Sequence, residues 1–320
     1  MKFTTIKTTA LFILLIASTI VSCSSDDNES TPPCTETLWY QDLDLDGLGN
    51  PNVSISSCTQ TNGYVANNTD TDDDVIFVST TNYLSLALNN NWIYDVTTDD
   101  GTNPTTSSVD DITVDETSTI NSNEYYGMTS SIGSTGTMSQ LFDQNFFRVD
   151  NGISYMQGGF TLPLSNFGGT DLTINLDDAK LIDETASSGT VLTSLSDVTT
   201  QTIGGFDLDI AYTFKTVQRE TLASHTVGTE TYNGIIKSDI VLSIKVTTEV
   251  TIGIPIVVTI LDTQDILTIN NFYANNIGLV DSDTTFTYSL EDLSTFGITL
   301  PFPDTATIIT AQEITAYTIN

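Results

Sequence analysis

From residue 76 onward the chain alternates apolar and polar side chains with a period of two. In FDLDIAYTFKTV, Phe206, Leu208, Ile210, Tyr212 and Phe214 alternate with Asp207, Asp209, Ala211, Thr213 and Lys215. That spacing sends one set of side chains to each face of a β-strand, one face dry and one wet. DIVLSIKVTTEV repeats the pattern with Leu242, Ile244 and Val246, TFTYSL with Phe286, Tyr288 and Leu290, and DLTINL with Leu172, Ile174 and Leu176. The region is rich in Thr, Ile, Val, Leu, Tyr and Phe, which favours strands, and no stretch sustains an amphipathic helix beyond two or three turns. The pairs Asp100-Gly101, Asn151-Gly152, Gly158-Gly159, Gly168-Gly169, Gly204-Gly205 and Asn233-Gly234 read as turns of antiparallel meanders. A sheet with one apolar face must bury it by packing or curling. The expected fold is therefore mainly β: a curved antiparallel sheet, half-barrel or sandwich, over residues 76–320, preceded by a small irregular module. One segment departs from strict alternation. TIGIPIVVTIL, residues 251–261, is apolar on both sides. It reads as a doubly buried strand or a hairpin with Pro255 near its turn, or else as the lip of an apolar ligand pocket.

The N-terminus follows a different pattern. Lys2 and Lys7 precede an apolar run from Ala10 to Ile20, shorter than the roughly 20 residues a membrane-spanning helix needs. Residues 1–22 read as a secretory signal peptide. Ile20, Val21, Ser22 and Cys23 resemble a bacterial lipobox, with isoleucine at the usual leucine position. The resemblance implies that Cys23 is acylated and becomes the first mature residue, anchored to a membrane by about 0.8 kcal/mol per buried methylene. An ordinary cleaved signal with an incidental cysteine is the other reading. SSDDNES, residues 24–30, resembles the acidic export signal of surface lipoproteins of the Bacteroidota kind, which implies the outer membrane and its exterior face. Without that signal, residues 23–33 are a plain solvated tether.

Charge narrows the partners. The chain has 8 basic and 41 acidic residues, a formal net charge of −33, and the signal peptide removes two of the basic ones. Nucleic acid and basic-patch adhesion to anionic headgroups are excluded. Three ligand classes stay open: a protein, a glycan or an apolar ligand. Of the three cysteines, acylation of Cys23 leaves Cys34 and Cys58, an even pair that suggests a disulfide in an exported chain. Two free thiols are the alternative. Closing that loop would be worth about 3 kcal/mol.

Residues 34–75 carry the densest chemistry. Asp42, Asp44, Asp46 and Gly47 match positions 1, 3, 5 and 6 of a calcium loop of the D-x-D-x-D-G kind. Alternate carboxylates converge on one centre, the glycine permits the sharp turn, and hard oxygen donors suit calcium. Position 12, where an EF-hand needs glutamate, is Val53, so the remaining oxygens must come from elsewhere. Asp70, Asp72, Asp73 and Asp74 form a second acidic cluster in NNTDTDDD. Together with Trp39, Tyr40, Gly49, Asn50, Pro51, Cys58, Gly63, Tyr64 and Val65, this arrangement resembles the short repeat of MopE-type metal-binding proteins and, more loosely, thrombospondin type 3 repeats. The resemblance implies a calcium ion held by Asp42, Asp44, Asp46, Asp70, Asp72 and Asp73. Leu45 replaces the usual glycine and Thr71 the usual second cysteine, which directs Cys58 to Cys34. A solvated acidic linker is the alternative reading.

The large domain has its own resemblance. Tyr83, Leu86, Asn90, Trp92 and Tyr94 resemble the start, and Tyr273, Ala274, Ile277, Gly278, Leu279 and Val280 the late strands, of uncharacterised bacterial lipoprotein domains, which look like the curved sheets of LolA/LppX-type lipoproteins. Ser85 stands where those domains commonly have proline. The family carries no settled activity. Catalytic signals are sparse. His225 is the single histidine and reads as a surface residue, there is no G-x-S-x-G elbow, and Asp177-Asp178 is the kind of pair that 41 acids produce by chance. The expected protein is a calcium-stiffened, lipid-anchored, non-catalytic binding or structural protein. A carrier or sensor of an apolar ligand is the alternative, and a glycoside hydrolase a more distant one.

Overall fold

The computed structural model describes residues 34–43, 48–70 and 81–320. The chain divides into two compact units, one through Val75 and one from Ile76 onward. The first contains β1 (Thr37–Gln41), β2 (Ser54–Ser57) and β3 (Tyr64–Val65), an antiparallel sheet in the order β2-β1-β3.

The second contains β4 (Asn91–Asp99), β5 (Thr106–Ile120), β6 (Asn123–Thr129), helix α1 (Thr137–Gln144), β7 (Phe146–Asp150), β8 (Ile153–Leu162), β9 (Leu172–Asp183), β10 (Val191–Ile203), β11 (Phe206–Val227), β12 (Glu230–Ile252), β13 (Ile254–Ala274), β14 (Gly278–Ser289) and β15 (Thr305–Thr318). These twelve strands form one antiparallel sheet, ordered β10-β11-β12-β13-β14-β15-β4-β5-β6-β7-β8-β9 and nearly closed into a barrel. Each strand pairs with its chain neighbour, with one exception. The last strand, β15, pairs with the first, β4, and the seam falls between β9 and β10.

The seam is bridged by side chains in place of a ladder. The Thr216 and Thr193 hydroxyls donate to Lys180 O on β9, at 2.5 and 3.3 Å, and the Ser238 hydroxyl donates to Leu181 O. In the other direction Asp183 N–H donates to Gln218 Oε1 at 3.2 Å. These bonds occupy backbone groups of an edge that would otherwise be a template for pairing with another chain.

The alternating residues lie where their period places them. Leu208, Ile210 and Phe214, then Leu242 and Ile244, then Leu172, Ile174 and Leu176 are all buried in one core with Trp92, Tyr94, Phe147, Phe160 and Tyr273. Phe160 and Phe214 meet at 5.5 Å between ring centroids. Trp92 Nε1–H donates to Ile277 O at 2.8 Å and Tyr94 O–H to Leu279 O at 3.0 Å, so the two aromatic residues of β4 clamp the β13–β14 turn. Gly278 fits there because its φ is +118° and a Cβ would lie 3.2 Å from the Trp92 indole nitrogen.

Two of the expected turns are corrected. Gly158-Gly159 lies inside β8 and Asn233-Gly234 inside β12. Gly158, at φ +142°, marks a break in register against β9 between Met156 and Gly158. Its missing Cβ leaves room for the Asn145 side-chain oxygen, which accepts from Gly159 N–H at 2.6 Å. A glycine pair thus marks a bulge here, where close backbone approach outweighs turn propensity. The β11–β12 turn instead falls at Gly228, φ +57°.

Candidate metal centre

The small unit is organised around Gly49. Its N–H donates to Asn67 Oδ1 at 3.0 Å, and its carbonyl accepts from Asp70 N–H at 3.2 Å. Next to it, Asn50 N–H donates to Gln41 O at 2.7 Å, while Asp42 N–H donates to Gly63 O at 3.0 Å. A Cβ on Gly49 would overlap Asn67 O, Tyr40 Cβ and Val65 Cγ2. A residue with no side chain is therefore what ties the Asp42 end of the first acidic cluster to the Asp70 end of the second. Both carboxylate residues are buried, Asp42 at 7 % and Asp70 at 2 % exposure. By contrast Leu38, Leu43, Leu48 and Val53 are exposed, so apolar burial contributes little to this unit.

Covalent closure substitutes for a core. Cys34 and Cys58 are joined by a disulfide, with Cα atoms 5.8 Å apart and 24 residues of separation. The bond clips the start of β1 to the end of β2, beside the Trp39 Nε1–H donated to Ser57 O at 3.2 Å. Of the expected ligands, Asp42 and Asp70 are brought to the same backbone knot. Asp44, Asp46, Asp72 and Asp73 lie outside the described residues, as does Cys23. No group of three candidate metal-binding side chains occurs among the described residues. The donor set present, two buried carboxylates, is hard and oxygen-only and fits calcium. No Lys, Arg or His lies between Lys7 and Arg148 in the sequence.

In the β unit an apolar cavity of about 80 Å³ is lined by residues that include Leu164, Phe167, Ile244, Val246, Phe286 and Phe302. A second space of about 240 Å³ shares Leu162, Phe167 and Phe286 with it and adds Thr137, Gln140 and Gln144. Phe167 lines both spaces. It sits on the short 3-10 turn Leu164–Phe167 and touches Phe302, Tyr288 and Phe286 at 5.2, 6.0 and 6.2 Å. The 251–261 segment is the tip of the β12–β13 hairpin, with Thr251 opposite Pro255. Ile260 and Leu261 reach the cavity wall, while Ile254 and Val257 are 67 % and 68 % exposed.

Two charged clusters were not legible in the sequence. Arg148 forms a bidentate pair with Asp178, Nε–Oδ1 and Nη2–Oδ2 both at 3.0 Å, and stacks 3.7 Å over the Tyr155 ring; the Tyr125 hydroxyl donates to the same carboxylate. The guanidinium holds Asp178 below the ordinary carboxylate range. Asp178 thus belongs to an ion pair and is not a paired acid with Asp177. His225 corrects the surface reading. It is half-buried, stacked on Phe272 at 4.1 Å and 9°, with Nε2 2.7 Å from Asp281 Oδ2. Burial pushes the Asp281 carboxyl up; the hydrogen bond from His225 opposes it, and nearby Asp283 and Glu313 reinforce it.

No protein-family model matches the chain, and no curated protein does. Among solved structures, a Parabacteroides distasonis protein named as a lipoprotein aligns with 74 % of this chain and 100 % of its own, at 13 % identity and a TM-score of 0.33. A likeness at that score carries no argument about what this chain does.

Proposed function

We propose that this chain is an acylated lipoprotein of the outer membrane, displayed on the cell exterior. Calcium bound by residues 34–75 stiffens the link between the Cys23 anchor and a non-catalytic β unit that binds or supports a partner. The observation that carries the calcium reading is the burial of Asp42 and Asp70 on one Gly49-centred knot, each beside a run of further aspartates in the sequence. Closely spaced carboxylates are hard oxygen donors of the kind that suits calcium. The remaining aspartates, Asp44, Asp46, Asp72 and Asp73, flank that knot in sequence and complete a set of six carboxylates. Extracellular modules of this kind bind at about 10⁻⁴–10⁻³ M, which suits a structural ion at a cell surface.

Titration calorimetry on the full chain tests this. Heat of calcium binding is expected in the millimolar range, and it should vanish when Asp42 and Asp46 are both changed to Asn. Absence of heat in the unaltered protein would refute the metal reading. On the same preparation from its native membrane, a lipid mass on Cys23 is expected, and Cys23→Ser should release the protein; release of neither form, or an unmodified thiol at Cys23, would refute the anchor.

A second reading, carriage of an apolar ligand, is favoured by the wholly apolar lining beneath Phe167. Mass spectrometry of the organic extract of purified protein is expected to reveal a stoichiometric apolar compound under this reading, reduced in Phe167→Ala if that ring retains it. An extract free of bound compound, together with no uptake of an added aliphatic probe, would leave the cavity as packing space.

A further inference from the structure

Three strands and the helix carry polar side chains into the apolar interior of the β unit. Asn271 on β13 stands directly opposite Ser282 on β14, and Ser282 directly opposite Gln312 on β15. They alternate along their strands with the same parity as Ile269, Tyr273, Val280 and Ile314, all core residues, so they face inward. Each is only 1 % exposed. Ser139 of α1, fully buried, extends the line, since its N–H donates to Gln312 Oε1 at 3.2 Å. Neighbouring strands lie about 4.8 Å apart, so directly opposed side chains on one face touch. The four residues form one continuous polar row.

Five atoms of that row have no hydrogen-bond partner among the described residues: Ser139 Oγ, Asn271 Oδ1, Asn271 Nδ2, Ser282 Oγ and Gln312 Nε2. Buried amides and hydroxyls in folded proteins are almost always bonded, because losing solvent without replacement is costly. One such atom is an isolated defect; five in adjoining positions mark a place where something else bonds. The chemistry of the set identifies it. The amides of Asn271 and Gln312 present N–H donors, which repel a cation. Asn271 Oδ1 is an acceptor, and the Asp110 carboxylate lies with Gln312 against Gly136, in a chain of net charge −33, which together repel an anion. A neutral species that both donates and accepts fits every member.

We propose that the row is a buried water site, in which ordered water joins α1 to β13, β14 and β15. Buried waters of this kind make about three hydrogen bonds each and are long-lived. Four buried polar residues are then accommodated, and α1 is fastened to the sheet through Ser139 and Gln312.

The experiment combines a high-resolution crystal structure of the full chain with oxygen-17 magnetic relaxation dispersion in labelled water. Expected are ordered waters about 3 Å from Asn271 and Ser282, and a population of long-lived internal waters that falls by at least one in Asn271→Leu/Ser282→Ala. Ser282→Ala alone, a minimal change, serves if the double variant does not fold, with the same loss expected. Direct Asn271–Ser282–Gln312 bonding with no water in the crystal, or an unchanged count of long-lived waters in either folded variant, would overturn the proposal.

Discussion

Phe214→Ala should lower the stability of the β unit by about 4 kcal/mol, within the range of about 3–5 kcal/mol found for removing a buried phenylalanine. Phe214 is fully buried on β11, in the longest run of strict alternation, and its ring meets Phe160 across the interior from β8. Truncation removes contacts from both walls of the nearly closed sheet at once. The backbone there cannot collapse freely, because β11 is fixed by ladders to β10 and β12 along much of its length. Phe214→Leu, which keeps most of the volume, should cost about 1–1.5 kcal/mol. Val198→Ala on the neighbouring strand β10, where the side chain is exposed, should stay within about 0.5 kcal/mol. Denaturant unfolding of the full chain, followed by tyrosine and tryptophan fluorescence, measures all three. Equal shifts for Phe214→Ala and Val198→Ala would show that the interior is not packed around this ring.

Loss of the disulfide is the other large effect, and it falls on the small unit. Cys34→Ser with Cys58→Ser should remove about 3 kcal/mol, the chain-entropy value for a loop of this length. The unit has little else to spend that loss against, since Leu38, Leu43 and Leu48 face outward and its strands have five, four and two residues. The expected result is rapid proteolysis between Trp39 and Asp70 in calcium-free buffer, with the unfolding transition of the β unit unchanged. Millimolar calcium should restore part of the protection, because a ligand that binds only the folded unit stabilises it by mass action. Identical digestion of the double variant and the unaltered protein, with and without calcium, would show that neither the bond nor the ion holds the unit together.

The two predictions rest on different layers of the sequence. The period of two from Phe206 to Phe214 specified strand, face and burial without reference to the rest of the chain, because side-chain direction along a strand is a local consequence of backbone geometry. The same holds for Asn151-Gly152 and Gly204-Gly205, whose positive φ values turn β7 into β8 and β10 into β11. The acidic spacing Asp42–Asp44–Asp46 is equally local, whereas the Cys34–Cys58 pairing, 24 residues apart, was readable from the small number of cysteines and not from any local pattern.

What only the tertiary structure decided are contacts between residues distant in sequence. The pairing of β15 with β4 and the seam at β9–β10 follow from how the whole sheet curls; Gly158 and Gly234 looked like turns because their neighbours gave no sign of the strands passing beside them. Arg148 meets Asp178 across 30 positions and His225 meets Asp281 across 56, and nothing local marks either pair. In β15 the local pattern runs against intuition: Ile309 faces outward while Gln312 faces the core. Gln312 is inside because Ser282, Asn271 and Ser139, from two other strands and the helix, gather there too. A polar residue's place is set by the partners that folding brings to it, and those are written nowhere near it in the chain.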